Sequence, residues 1–277
     1  MKFSAIKETD DNYSPKVKEY LKYIEMIRKD CKPFLDREKS LLYRGLGVES
    51  DLFLEKTVRT DRKPKDTHPA MSKLFDNIFY ELFRVKLRSE ALFAIRNMSG
   101  AAEYGNVYMI FPKGKYEIFV SSSISDLYSD VAGRGLFNYL LEDSSKKDLM
   151  DLGSNKEEKE AIGLLFDMFE NQNTQDVLRN LSDVHTDFKS AANKLIEFIE
   201  MSVKEIIKDS YERDDGSNKR NELMVAMYDN DKKYYAVDLS TIRKKVPAQD
   251  REVLNGSPTD LLTYIEVNLK NGIWSYM

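Results

Sequence analysis

Apolar positions recur along this chain in two periods, and the change from one to the other marks its elements. Val17, Tyr20, Leu21, Ile24 and Ile27 fall three and four apart. They follow Ser14-Pro15, a capping residue and a proline suited to a first helical position, so a helix is predicted to about Asp30 or Cys31. Pro33 is expected to end it. Residues 1–13 are polar and expected to be loosely held. Leu41-Leu42-Tyr43 reads as a short buried strand ending at Arg44. Residues 58–69 are polar, with prolines at 64 and 69, and read as a loop. Pro69 then opens a helix whose face carries Met71, Leu74, Phe75, Ile78, Phe79, Leu82 and Phe83.

The pattern turns to strands over 91–95, 107–111 and 116–121, with helical turns and a glycine stop over 99–105. The turn at 112–115 makes the last two strands a predicted hairpin. Residues 124–211 are helical in character. One helix covers 161–169, and Asn173-Thr174 can cap a longer one carrying Val177, Leu181, Leu195, Ile199 and Val203, with a break near Ser182. Residues 213–218 read as a loop. Strands follow at 222–227 and 233–239 around a turn at 229–231, and a polar connection leads to a helix opened by Ser257-Pro258, with Leu261, Leu262 and Ile265 inward. Trp274 and Tyr276 are expected to dock on the body. The whole reads as α+β, one domain over 1–277, without the βαβ alternation of a doubly wound sheet.

Composition narrows the function classes. In 277 residues, 42% are hydrophobic and 32% charged, which predicts a packed core. A net charge of −4 argues against broad nucleic-acid binding and leaves room for a local basic groove. No run of 18 apolar residues occurs, so no membrane span is expected, and the N-terminus lacks the apolar centre of a signal peptide. Cys31 is the single cysteine, so no internal disulfide can form and a cytoplasmic setting is expected. Two histidines, His68 and His185, give little basis for a metal site or a Ser-His-Asp triad, and no metal is expected. Zinc spacings, a P-loop and a GxGxxG are lacking.

The candidate chemistry begins at Tyr43-Arg44-Gly45. A guanidinium leaving a strand beside a glycine suits a phosphate or a ribose diol, although an arginine there can equally be an ion-paired surface residue. Arg59 and Arg62, in the loop at 58–69, either stay solvated or fold over a phosphate-bearing ligand.

Three features stand in order: Tyr43-Arg44-Gly45, then the strand containing Phe93-Ala94 with Tyr104-Gly105 after it, then Glu222 opening NELMVAMYDNDKKYYAV. This order resembles the ADP-ribosyltransferase superfamily, in the clade with arginine, serine and glutamate motifs, and residues 61–128 look like phage- and prophage-associated members. The resemblance covers about 41–121 and 220–239. It implies a split β-sheet core with an N-terminal helix and a large helical insertion at 124–211. It also implies a mono-ADP-ribosyltransferase consuming NAD+, acting in phage–bacterium conflict as a toxin or effector, with a possible antitoxin or inhibitor protein. Arg44 and Gly45 would hold a phosphate or ribose, Phe93 and Ala94 would back the nicotinamide ribose, Tyr104 would stack on nicotinamide, and Glu222 would be catalytic. Two departures matter. The middle strand has no hydroxyl, with Ser89 before it and Ser99 after it. Arg220 stands where relatives that modify arginine carry Glu, which disfavours an arginine acceptor and favours nucleic acid, RNA or DNA, over protein. The alternatives are a catalytically inactive binding module of the same fold and a scaffold that uses the 124–211 helices for partner contact.

Overall fold

The computed structural model describes residues 13–47, 51–60, 69–121, 124, 127, 149–169, 172, 174–214 and 223–274. In chain order the elements are α1 (Pro15–Asp30), α2 (Lys32–Arg37), β1 (Tyr43–Leu46), β2 (Phe53–Thr57), α3 (Pro69–Phe83), α4 (Leu87–Glu90), β3 (Leu92–Ala94), α5 (Met98–Ala102), β4 (Asn106–Pro112), β5 (Tyr116–Ser121), α6 (Lys156–Phe169), α7 (Thr174–Ser182), α8 (Lys189–Ser210), β6 (Tyr211–Arg213), β7 (Leu223–Met227), β8 (Lys233–Asp238), α9 (Leu239–Lys245) and α10 (Pro258–Lys270). Single 3-10 helices lie at Thr186–Phe188 and Ala248–Asn255. The chain is α+β and divides into two compact units. The first comprises Met1–Val58, Leu92–Ile118 and Asp214–Met277, and the second Arg59–Ala91 and Phe119–Arg213. The helical block expected at 124–211 therefore shares a unit with residues 59–91.

In the first unit, α1 starts as its sequence predicts. The Ser14 hydroxyl accepts the Val17 amide, Pro15 occupies the first turn, and Val17, Tyr20, Ile24 and Ile27 are buried. α1 ends at Asp30, as expected, and Pro33 belongs to the separate helix that follows. It lies in the first turn of α2, where a missing N–H leaves no intrahelical bond unmade. At the other end of the chain, α10 begins with a capping box between Ser257 and Asp260 and packs against α1.

One antiparallel sheet runs β1-β4-β8-β2. β1 continues through Arg44 and Gly45 instead of ending there, while Leu41 and Leu42 are buried ahead of it. A second set places β3 against β7, with β5 on the other side of β7. Both expected hairpins are corrected by this topology, because β4 and β5 lie in different sheets, as do β7 and β8. The two connections instead run side by side. The Lys113 amide donates to the Lys233 carbonyl at 3.1 Å, and the Tyr228 amide to the Lys115 carbonyl at 3.0 Å. Gly114 lets them pass: its φ is +62°, and a Cβ there would meet the Asp229 carboxylate at 1.7 Å. β2, α9 and the 3-10 helix after α9 were not foreseen. Trp274 is buried against Tyr264, and Tyr276 lies outside the described residues.

The second unit is organised by α8, whose Ala191, Leu195, Ile199, Val203 and Ile207 are buried and which packs on α3, α6 and α7. The predicted break is present, as α7 ends at Ser182 and a 3-10 turn capped by His185 precedes α8. The outer residues of β5, Phe119–Ser121, pair with β6.

Candidate functional site

The site is built around β1. Its register sets Arg44 opposite Tyr108 and Gly45 opposite Val107 of β4. On its other edge Tyr43 exchanges both backbone hydrogen bonds with Ile95, at 2.7 and 2.8 Å, so β1 also meets the end of β3. Side chains alternate along a strand, so Tyr43 and Arg44 point to opposite faces. The Tyr43 hydroxyl donates to the Leu254 carbonyl at 3.1 Å, and burial raises its pKa to about 12. Tyr43 is thus a buried anchor of the strand.

Arg44 is held differently. One terminal guanidinium nitrogen donates to the Phe93 carbonyl of β3 at 2.6 Å, while Nε is buried with no hydrogen-bond partner. Among the described residues no carboxylate pairs with it. Burial holds its pKa below the ordinary arginine value, and the neighbouring Tyr234 opposes that shift. A desolvated cation without a counter-charge is costly, and an anion from solution would lower that cost.

Gly45 fixes what lies beside the arginine. A Cβ on it would sit 2.4 Å from the Ala101 carbonyl oxygen and 2.6 Å from Tyr104 Cβ, so only glycine lets α5 and the residues after it approach β1 this closely. Tyr104 is brought next to Gly45 while its own side chain is 72% exposed.

β3 links the arginine to the last predicted motif. Phe93 pairs with Met224, and Ala94 with Leu223, the first residue of β7. Glu222 and Arg220 lie outside the described residues, as does Arg62. Arg59 is exposed and belongs to the second unit. The structure thus brings together Tyr43, Arg44, Gly45, Phe93, Ala94 and Tyr104. β3 itself carries Leu92, Phe93 and Ala94 and no hydroxyl. Asn97 caps α5, its Oδ1 accepting the Ser99 amide, and the Ser89 amide donates to the Asp76 carboxylate in the second unit.

A neighbouring cluster was not anticipated. Arg96, just past β3, pairs with Glu38 at 3.1 Å and Asp214 at 2.5 Å, and all three side chains are almost wholly buried. Arg96 also donates to the Ser40 hydroxyl, Tyr116 donates to Glu38 at 3.1 Å, and Arg37 donates to the Asp214 carbonyl. Burial and the Glu38 charge push the Tyr116 hydroxyl pKa well up. The cluster ties the chain just before β1 to the chain just after β3. No sequence signal announces it, because Glu38, Arg96 and Asp214 are far apart and each looks like a surface charge.

Among the described residues no group of three or more His, Cys, Asp or Glu side chains is placed to hold a metal ion. Comparison of the chain with protein-family models, with curated proteins and with solved structures finds no match.

Proposed function

We propose that this chain is an NAD+-dependent transferase that moves ADP-ribose onto a nucleic acid, on an ADP-ribosyltransferase-like split-sheet core. The observation that carries the reading is Arg44, a desolvated guanidinium against a β3 carbonyl with no carboxylate to balance it among the described residues. Its planar donor fork matches a pyrophosphate. The elements around it favour NAD+ over a simple phosphate. Arg44 reaches Phe93 on β3, and Ala94 on the same strand pairs with Leu223, which follows Glu222 by one peptide bond.

In this reading Arg44 binds the diphosphate and Tyr104 offers an exposed ring for the nicotinamide. The Glu222 carboxylate accepts a hydrogen bond from the ribose 2′-hydroxyl and stabilises the oxocarbenium-like transition state. The bond from C1′ to the nicotinamide nitrogen breaks, and its electron pair leaves with nicotinamide. A lone pair on the acceptor forms the new bond to C1′, and the acceptor's proton passes to solvent. A cationic residue at 220 suits an anionic acceptor and cannot act as the base an arginine acceptor requires.

The test is nicotinamide release from NAD+ in the presence of RNA, DNA and cell protein separately, with wild type and Glu222→Gln. Release that needs a nucleic acid and falls about 100-fold or more in the variant is expected. No release from any pool by folded protein would remove the enzyme. A second reading, a binding module without transfer, is favoured by the absence of a hydroxyl on β3. It predicts NAD+ binding that is lost in Arg44→Met, with no nicotinamide released.

A further inference from the structure

The chain is acidic overall, yet it contains one run of three consecutive cations, Arg243-Lys244-Lys245. The run forms the last turn of α9 in the first unit, between the buried residues Ile242 and Val246. Successive helical positions turn by about 100°, so the three side chains fan outward, and all three are exposed. None makes an ion pair among the described residues, and the same is true of Arg251, exposed one short turn further on. Asp238 and Asp250, the nearest acids in sequence besides Glu252, are engaged elsewhere. Asp238 accepts the Ser240 and Thr241 amides as the cap of α9, and Asp250 accepts the Tyr264 hydroxyl. Of the other cations of this unit, Arg28, Arg96 and Lys113 are paired with carboxylates, while Lys18, Lys22 and Lys29 on α1 are exposed and are spread along that helix instead of adjacent.

Cations at a helix C-terminus also favour the helix dipole, so their exposure alone says little. Their attachment says more. At the start of α9 the Ser240 hydroxyl accepts the Val107 amide, and Val107 is the β4 partner of Gly45. At the end of the following 3-10 helix the Leu254 carbonyl accepts the Tyr43 hydroxyl. The cationic segment is therefore tied at one end to β4, the strand beside β1, and at the other to Tyr43 of β1 on the face opposite Arg44. A strand held by this segment is kept beside the strand that carries the candidate anion site.

We propose that Arg243, Lys244 and Lys245, extended by Arg251, form a docking surface for the phosphate backbone of a nucleic acid. The choice of nucleic acid among polyanions rests on the function proposed above. The contacts are to phosphates, so binding is independent of base sequence and strongly dependent on salt.

The experiment measures binding of a labelled single-stranded RNA and a duplex DNA, without NAD+, across a salt series. The chains compared are wild type, the triple variant Arg243→Gln/Lys244→Gln/Lys245→Gln, and the control Lys18→Gln/Lys22→Gln/Lys29→Gln, which removes three exposed cations from α1. Wild type and control are expected to bind at low salt. The triple variant is expected to bind about tenfold more weakly or worse, with a log–log salt slope shallower by about 2, while remaining folded at the assay temperature with at most a small fall in melting temperature. No binding by wild type, an equal loss in the control, an unchanged slope in the triple variant, or binding to anionic phospholipid vesicles in preference to both nucleic acids would each overturn the proposal. Triad-dependent binding by a protein that releases no nicotinamide would keep the surface and remove the transferase. Nucleic-acid-dependent nicotinamide release that the triple variant leaves unchanged would do the reverse.

Discussion

Arg44 and Arg96 sit at either end of the same short strand's neighbourhood, and they are treated in opposite ways. Arg96 is enclosed by two buried carboxylates and a hydroxyl, so its charge is balanced inside the protein. Arg44 has one carbonyl, a buried Nε without a partner and no carboxylate among the described residues. A buried cation that exists for the fold brings its counter-charge with it. Arg44 is half-buried with no such partner among the described residues, and on the reading proposed above its counter-charge is supplied by a ligand. The contrast separates scaffold from site without appeal to any relative.

The largest expected effect tests that separation directly. Arg96→Met leaves Glu38 and Asp214 buried with only the half-exposed Arg37, 3.7 Å from Glu38, as a cation nearby, and it should cost about 3 kcal/mol of stability. Arg44→Met removes a desolvated charge that nothing inside balances, so its stability should stay within about 1 kcal/mol of wild type or exceed it. Urea unfolding of both variants measures the difference. Equal destabilisation would make Arg44 structural and dissolve the contrast. Next in size is the ligand effect. NAD+ at about 100 times its dissociation constant should stabilise wild type by about 2.7 kcal/mol, and Arg44→Met by far less. Thermal melts with and without NAD+ show it, and an equal shift in both proteins would place the anion elsewhere.

Parts of this contrast were legible in the sequence and parts were not. Arg44 drew attention because an aromatic residue and a glycine flank it, and the glycine proved necessary for the close packing of α5. The helices α1, α3 and α10 were legible because each joins a helical period to a proline or serine start. The partners of β4, β5, β7 and β8 were not. β4 and β7 are buried almost throughout, so they carry no alternation to show which sheet they join, and a short connection between two strands does not compel them to pair. β2 is five residues long and carries Glu55 and Lys56, too short and too polar to stand out. The Arg96 cluster was invisible for a different reason. Its charges come from positions 58 and 118 residues away, and only the folded chain shows that they share one desolvated pocket.

Gly45→Ala is expected to have an intermediate effect, on the site side of the comparison. The new methyl group would sit 2.4 Å from the Ala101 carbonyl oxygen, a backbone atom that cannot step aside without moving α5. Overpacking of this kind costs about 1–3 kcal/mol. The shift should also disturb Arg44, the adjacent residue, and weaken NAD+ binding beyond the stability loss. Titration of NAD+ against the variant at a temperature where it is fully folded separates the two. Unchanged affinity would mean that α5 has no part in shaping the site.

The smallest expected effect lies in the second unit, where a charge cluster of another kind supplies the outer limit of the comparison. Glu158 accepts hydrogen bonds from Lys194 and the Ser154 amide, both at 2.7 Å, and from the Ser190 hydroxyl, joining α6 to α8. The Lys194 bond, then those from Ser190 and Ser154, hold its pKa down at about 2, below the ordinary value of 4.5. A carboxyl whose pKa is depressed by folding contributes stability that is present above its unfolded value. That contribution fades as pH falls from about 4.5 towards 2, and it vanishes once the group is protonated in both states. Glu158→Gln should therefore differ from wild type near neutral pH and by a smaller amount at pH 3, inside that window. Because these groups border solvent, the difference should shrink in high salt, whereas the cost of Arg96→Met should not. Urea midpoints of both variants at pH 7 and pH 3, each at low and high salt, give the four comparisons. A salt-insensitive Glu158 effect would show that the second unit also buries its charges, and that enclosure alone does not distinguish the surroundings of Arg44.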